Sequence, residues 1–300
     1  MVSVGGMALA ETRVFAISKP ADLRRLRPVD ALLLGYVALV SAVAAARLAI
    51  FPNCIWLLAA NALIVVLVVL VTRSDLGPFG RVVRDVYPIV LLLALYSSVD
   101  VLNGGGRVRV HDAAVQAWEA ALFGGQPSRD WWRAAPSRFW STVLHGAYLS
   151  YYGVIVAPTL ALLPRADRAP LRRFVLAAVA TFVICYLCFI FFPVAGPYYT
   201  FPRPTGDFLD NPAARLVYAV LAQGSSYGAA FPSSHVAASV AATVVTWPAS
   251  RRLGIGLALA TGLLTVGVVY CQMHYAVDAI AGGLLGMTVG LLVNSVTGER

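Results

Sequence analysis

Apolar residues in this chain run in long blocks rather than in the alternating or one-sided patterns of soluble elements. Eight such blocks recur, over 31–51, 55–71, 86–101, 140–163, 174–192, 236–247, 253–270 and 279–293. A helix that is apolar all round belongs in a protein core or in a bilayer. Crossing a bilayer takes roughly 20 residues, and most blocks are near that length. The blocks at 86–101 and 236–247 are short unless their polar ends extend them. The pattern predicts an all-α integral membrane protein, a polytopic bundle of about eight membrane helices, with seven or nine as the neighbouring counts. The first thirty residues are basic and have no apolar stretch of their own. The block at 31–51 is too long for a signal-peptide core and is expected to be a retained helix.

Between the third and fourth blocks the pattern changes. Gly104-Gly105-Gly106 marks a break, after which Val110, Ala114, Ala117, Trp118, Leu122 and Phe123 approximate one helical face. Asp112, Gln116 and Glu119 lie elsewhere on that helix. The arrangement suits a short helix lying in the membrane interface, with Trp131, Trp132 and Trp140 as an aromatic belt nearby. Packing and anchoring are the roles expected of all of these.

Composition agrees with the block pattern. Of 300 residues, 59% are hydrophobic and 12% charged, about half the charged share of a soluble domain; the mean hydropathy is +0.76. The net charge of +9 sorts by loop. Arg13, Lys19, Arg24, Arg25 and Arg27 precede the first block. Every second connection thereafter is basic, through Arg73, Arg81 and Arg84, then Arg165, Arg168, Arg172 and Arg173, then Arg251 and Arg252. The tight connections near Pro52 and Cys271 have no Lys or Arg, and the longer segments 103–139 and 194–232 carry Asp112, Glu119, Asp130, Asp207 and Asp210. By the positive-inside bias both termini are expected in the cytoplasm of a multi-pass cell-membrane protein. The charge is a topology signal and gives no support to nucleic-acid binding. Cys185 and Cys188 have redox spacing but sit in an apolar block, where packing is the expected role. Cys54 and Cys271 both fall near the outer face, where a disulfide is conceivable but spacing does not establish one.

Two polar clusters interrupt the apolar blocks, and the topology opens both on the extracytoplasmic face. Pro232-Ser233-Ser234-His235 reads as a helix start, with a serine side chain capping the free amides. Those amides and the helix dipole suit an anion, and His235 on the first turn is placed to give a proton to a leaving oxygen. A capped helix with an interfacial histidine is the plainer reading of this motif alone. His274 and Asp278 are four apart, hence on one face of a helix start. The carboxylate can hold one ring nitrogen and leave the other free as a nucleophile. A structural His–Asp pair is the plainer reading here. Gly282, Gly286 and Gly290 continue the same spacing and permit close helix contact. Ionisable groups at membrane depth are functional candidates by default, and two clusters converging on one anion suggest phosphoryl transfer.

Pro232-Ser233-Ser234-His235 resembles the Pro-Ser-Gly-His motif of the type 2 phosphatidic acid phosphatase superfamily, and His274-x3-Asp278 resembles its terminal His-x3-Asp. The resemblance, over 95–295, implies a six-helix phosphatase-type core of the kind shared with vanadium haloperoxidases. It implies that His274 is a nucleophile forming phosphohistidine, Asp278 its partner and His235 the acid on the leaving group. Ser233 and the amides around Ser234 would cradle phosphate. The family's Lys-x6-Arg-Pro is matched only by Arg203-Pro204, with Gly196 at the lysine position, and its Ser-Arg pair before the nucleophile is replaced by Gly267 and Val268. Loss of cationic ligands penalises a dianionic monoester more than a monoanionic diester. With residues 192–197, 122–128 and 150–152, this makes the chain similar to the inositol phosphorylceramide synthase branch. Arg203 is the remaining candidate phosphate clamp, ahead of Arg107 and Arg109. His145, Tyr148, Tyr151 and Tyr152 are cavity candidates for which ordinary packing is the expected role.

The expected function is a membrane phosphotransferase or phosphatase acting on a phospholipid or lipid-phosphate ester, with a polar alcohol such as inositol as possible acceptor. A lipid or polyprenyl phosphate phosphatase using water is the alternative. A lipid transporter and a catalytically inactive relative are the readings from other classes. No cofactor and no metal site is expected. The organisation expected is a basic cytoplasmic segment at 1–30, membrane helices over 31–94, the phosphatase-like membrane domain at 95–295 and a cytoplasmic tail at 296–300.

Overall fold

A computed structural model describes residues 26–73 and 77–298. The basic residues Arg13, Lys19, Arg24 and Arg25, most of the segment 1–30 and the last two residues lie outside the described residues. In chain order the helices are α1 (Pro28–Arg47), α2 (Cys54–Arg73), α3 (Gly77–Leu102), α4 (Asp112–Phe123), α5 (Pro127–Ala134) and α6 (Arg138–Leu162). They continue with α7 (Ala169–Phe191), α8 (Pro197–Thr200), α9 (Pro212–Gly224), α10 (Ser234–Thr246), α11 (Arg251–Tyr270) and α12 (Ala276–Gly298). One isolated parallel bridge, Val194 with Ala229, is the only extended pairing among the described residues.

All eight apolar blocks are helical. Six helices, α1, α2, α3, α7, α11 and α12, are long and apolar enough to cross a bilayer, which fits a multi-pass membrane protein. The two remaining blocks fall short of that measure for different reasons. Helix α6 has 25 residues, but Ser141, His145, Ser150 and three tyrosines dilute its hydropathy. Helix α10 has 13 residues and extends only about 20 Å, against a hydrocarbon core of about 30 Å. It is packed among α6, α7, α11 and α12, so it lies in protein rather than lipid. Helix α3 begins at Gly77, well before the apolar block at 86–101. Its polar first turns are helical because Arg84 and Asp85 are buried. Asp85 accepts from Arg27 at 3.3 Å and from Arg172 at 3.0 Å, joining the starts of α1, α3 and α7.

The bundle therefore has two chemically distinct ends. Arg27, Asp85, Arg172 and Arg173 share a pocket with Thr297, from the last turn of α12. His274 and Asp278 stand at the opposite end of α12. The seam that holds this second end together is the glycine stripe. A Cβ at Gly282 would lie 2.5 Å from the Ser233 carbonyl oxygen, and one at Gly286 would overlap the Ala237 carbonyl. At Gly290 it would meet Val244 at 2.8 Å. Backbone of α12 thus rests directly on backbone of α10, as small residues allow.

Candidate active site

The start of α10 is built by Ser233. Its backbone is extended and its hydroxyl accepts from the amide of Val236 at 3.4 Å, a side-chain cap. The Ser233 carbonyl receives the amide of Ala237 at 2.9 Å, and the Ser233 amide itself donates to the Asp278 carbonyl at 3.0 Å. Between these, the amides of Ser234 and His235 have no hydrogen-bond acceptor among the described residues. Two adjacent open donors at the positive end of a helix form an anion seat.

The start of α12 is arranged differently. Asp278 Oδ2 accepts from the amide of Tyr275 at 2.8 Å. Glu119, reaching over from α4, accepts from the amide of Ala276 at 2.7 Å. Carboxylates therefore occupy the first donors of this helix.

His274 lies just before α12, with its ring 5.7 Å from that of His235. Its Nδ1 is 3.0 Å from the Ala230 carbonyl and 3.5 Å from Asp278 Oδ2. A carbonyl oxygen only accepts, so this contact requires a proton on Nδ1 and leaves the lone pair on Nε2. The orienting group at shorter range is thus a backbone carbonyl, with the carboxylate behind it. His235 packs against the rings of Tyr151 and Tyr148, at 4.4 and 4.8 Å between centroids. Its Nδ1 and Asp278 Oδ1 are both buried without a hydrogen-bond partner among the described residues. Tyr148 and Tyr151 thus have the packing role expected of them, and the ring they pack on is that of His235. Tyr152 is exposed, and its ring packs on that of Tyr151.

The chain around the histidines is cross-tied. Val194 donates to the Gly228 carbonyl at 3.1 Å and accepts from Ala230 at 2.9 Å, which fixes the Ala230 carbonyl that faces His274. Gln272, in the left-handed region at φ 59°, accepts from Trp132 Nε1 at 2.9 Å and donates to the Pro202 carbonyl at 3.1 Å. Trp132 is consequently buried scaffold, and of the three tryptophans expected in an aromatic belt Trp131 and Trp140 face outward. His145 is also interior. Its Nδ1 contacts the Ser141 carbonyl at 2.8 Å and Cys271 Sγ at 3.4 Å. All four cysteines are free, so Cys54 and Cys271 are not paired, and burial pushes the Cys271 thiol up from its ordinary value.

A sequence model described as the PAP2 superfamily matches residues 113–292, more than half of the chain. The chain belongs to the PAP2 superfamily. Neither a curated protein nor a solved structure matches it. Superfamily membership supports a phosphatase-type enzyme of lipid phosphates, and it reaches no finer than that. Within this PAP2 chain the substituted positions are not cationic surfaces. Val268 is buried and its carbonyl accepts from the amides of Met273 and His274 at 2.9 and 2.8 Å. Gly196 has φ 92° and lies so close to Ala230 that a Cβ there would approach the Ala230 Cβ to 2.8 Å. A side chain as long as lysine has no room at that backbone. Arg203 is exposed, its guanidinium 4.4 Å from the centre of the Tyr198 ring, and among the described residues it makes no hydrogen bond to either histidine. Among the described residues no three His, Cys, Asp or Glu side chains converge as a metal site requires.

An apolar groove of about 700 Å3 runs beside the PAP2 site. It is lined by Ala276, Ala279, Gly283 and Leu284 of α12 and Val266 of α11, with Phe123 and Trp131 contributed by α4 and α5. Ala276 and Ala279 flank Asp278, so the groove begins within one helical turn of the polar cluster.

Proposed function

We propose that this protein transfers the phosphoryl-bearing head group of a lipid phosphate ester through a phosphohistidine at the extracytoplasmic face of the cell membrane. The observation that carries the reading is the pair of open amides at Ser234 and His235, on the helix start that carries one of two imidazoles standing 5.7 Å apart. Phosphate oxygens seated on those amides present phosphorus to His274. The Nε2 lone pair of His274 forms the N–P bond as the ester P–O bond breaks, and His235, as imidazolium, protonates the departing oxygen. In the second step His235 takes the proton of an incoming alcohol or water as its oxygen attacks phosphorus, and the N–P bond breaks. Ser233 holds the helix start in shape. The bound anion supplies the negative charge that favours protonation of the otherwise unpartnered His235. The apolar groove beside Asp278 is suited to the hydrocarbon part of such a substrate.

The absence of a cation at Gly196 and Val268 favours a singly charged phosphodiester over a monoester, hence head-group transfer, with inositol as the candidate polar acceptor. Placing the site on the outer face rests on the loop charges, with the Arg27–Arg172 end inward. The test is turnover by the purified chain, reconstituted in lipid bilayers with a chelator present, on phosphatidic acid and on phosphatidylinositol. His274→Ala is expected to lower turnover by about four orders of magnitude or more, the scale seen when a covalent nucleophile is removed. Full turnover by that variant would sink the mechanism. Release of free phosphate with no exchange of inositol would move the assignment to a phosphatase using water.

A further inference from the structure

Among the described residues helix α4 makes no hydrogen bond or ring contact with either histidine, yet two of its carboxylates are buried against the chain that carries the site. Asp112, Gln116 and Glu119 share one face of α4, and Asp112 and Glu119 are both buried. Neither carboxylate is in an ion pair among the described residues. Burying an unpaired carboxylate is costly unless hydrogen bonds compensate it, and burial holds Glu119 above the usual carboxylate range. Two anions beside a phosphate seat are a further cost. Their donors indicate what offsets it.

Asp112 accepts from the amides of Ala195 and Gly196, both at 2.8 Å, and from the Tyr275 hydroxyl at 2.9 Å. The same hydroxyl receives Gln116 Nε2 at 2.9 Å and lies 2.8 Å from Thr200 Oγ1. Glu119 accepts from the amide of Ala276 at 2.7 Å and from the Ser128 hydroxyl at 3.0 Å. These donors flank His274 on two sides. Tyr275 and Ala276 follow it directly in the chain. Ala195 and Gly196 continue the segment whose Val194 fixes Ala230, and the Ala230 carbonyl is the acceptor facing His274 Nδ1.

We propose that Asp112 and Glu119 are positioning residues that hold His274 in the Nδ1-protonated form with Nε2 aimed at phosphorus. The role rests on the reading of His274 as nucleophile, since it is that ring's orientation they secure. They act through Tyr275, Ala276 and Ala230 and touch no reacting atom.

The experiment uses the full chain with 15N-labelled histidine, reconstituted in lipid bilayers, as wild type, Asp112→Asn, Glu119→Gln, Tyr275→Phe and Asp130→Asn. Asp130 is an exposed carboxylate paired with Arg129 at 2.7 Å and serves as the control. Two readouts are taken: kcat and KM on phosphatidic acid and phosphatidylinositol, and the 15N shifts of His274, assigned by their loss in His274→Ala. Asp112→Asn and Glu119→Gln are expected to lower kcat by about ten- to a hundredfold with KM within about twofold, as misplacement of a reacting group does. The His274 shifts are expected to move away from the Nδ1–H pattern, while Asp130→Asn changes neither readout. Wild-type kcat with unchanged shifts overturns the proposal, as does a lowered kcat with unchanged shifts, which marks a merely structural role. If no lipid phosphate is turned over by the wild type but the variants still move the His274 shifts, positioning stands and the functional reading falls. If a carboxylate variant fails to fold, Tyr275→Phe, which removes one hydroxyl and leaves both acids, carries the same two readouts.

Discussion

Helices α10 and α12 both begin inside the site, and their first turns are occupied in opposite ways. At α12 the leading amides are taken by carboxylates, Tyr275 by Asp278 and Ala276 by Glu119. At α10 the serine cap serves Val236 and leaves Ser234 and His235 open. Both helix ends carry the same positive dipole, so it is the local acceptors that decide which can receive a ligand. One helix start has its leading donors filled by carboxylates, and the other keeps two of them open. In the proposed mechanism the phosphate therefore sits on α10 and the structural duty falls to α12.

The sharpest way to break this comparison is to delete an open amide without disturbing the helix. Ser234 is the first helical residue of α10, a position that accepts proline, and Ser233 before it has the extended backbone that proline demands. Ser234→Pro is expected to lower kcat on a lipid phosphate by about a hundredfold, the scale of losing one preorganised donor, with Ser234→Ala much closer to wild type. Equal activity of the two variants would remove the phosphate from this seat. A second test acts on the seam that holds the two helix starts together. Gly286→Ala places a methyl group on the Ala237 carbonyl, and a loss of about 1–3 kcal/mol is expected, as for other overpacked contacts. A thermal midpoint in bilayers that matches wild type would show that the seam has slack. The smallest effect is expected from Arg203→Ala, because the guanidinium is exposed and rests on Tyr198. KM is expected to rise roughly fivefold or less, with kcat unchanged, in line with an exposed charge contact. A large fall in kcat would instead bring Arg203 into the phosphate shell and weaken the primacy of the α10 amides.

What could be read from the sequence follows from where each kind of information is written. Membrane-length apolar runs carry their own signal, so all eight blocks are found as helices, and His235, His274 and Asp278 stand out because ionisable groups are rare in such surroundings. The start of α3 was hidden because Arg84 and Asp85 look like loop residues until Arg27 and Arg172 are placed beside them. The Ala230 carbonyl and the open amides of α10 have no residue-type signature, since every residue carries a carbonyl and nearly every one an amide. Helix α4 is the instructive case. Its two-faced pattern was legible, but periodicity does not say which face turns inward. The acids Asp112 and Glu119 face the protein, while Trp118, Leu122 and Phe123 are exposed.

That outward apolar face has a mechanical consequence. The outer side of α4 is only partly covered, with Trp118 against the rings of Phe192 and Phe231, and in a chain of this hydropathy the natural support of its exposed apolar residues is lipid. The lateral pressure of the bilayer then bears on a helix whose inner side grips Tyr275 and Ala276. A change in bilayer thickness or tension that shifts α4 by an ångström carries the acceptors of those two residues with it. On the proposed function, the surrounding lipid is a strut of the frame around His274 as well as the reservoir from which substrate is drawn.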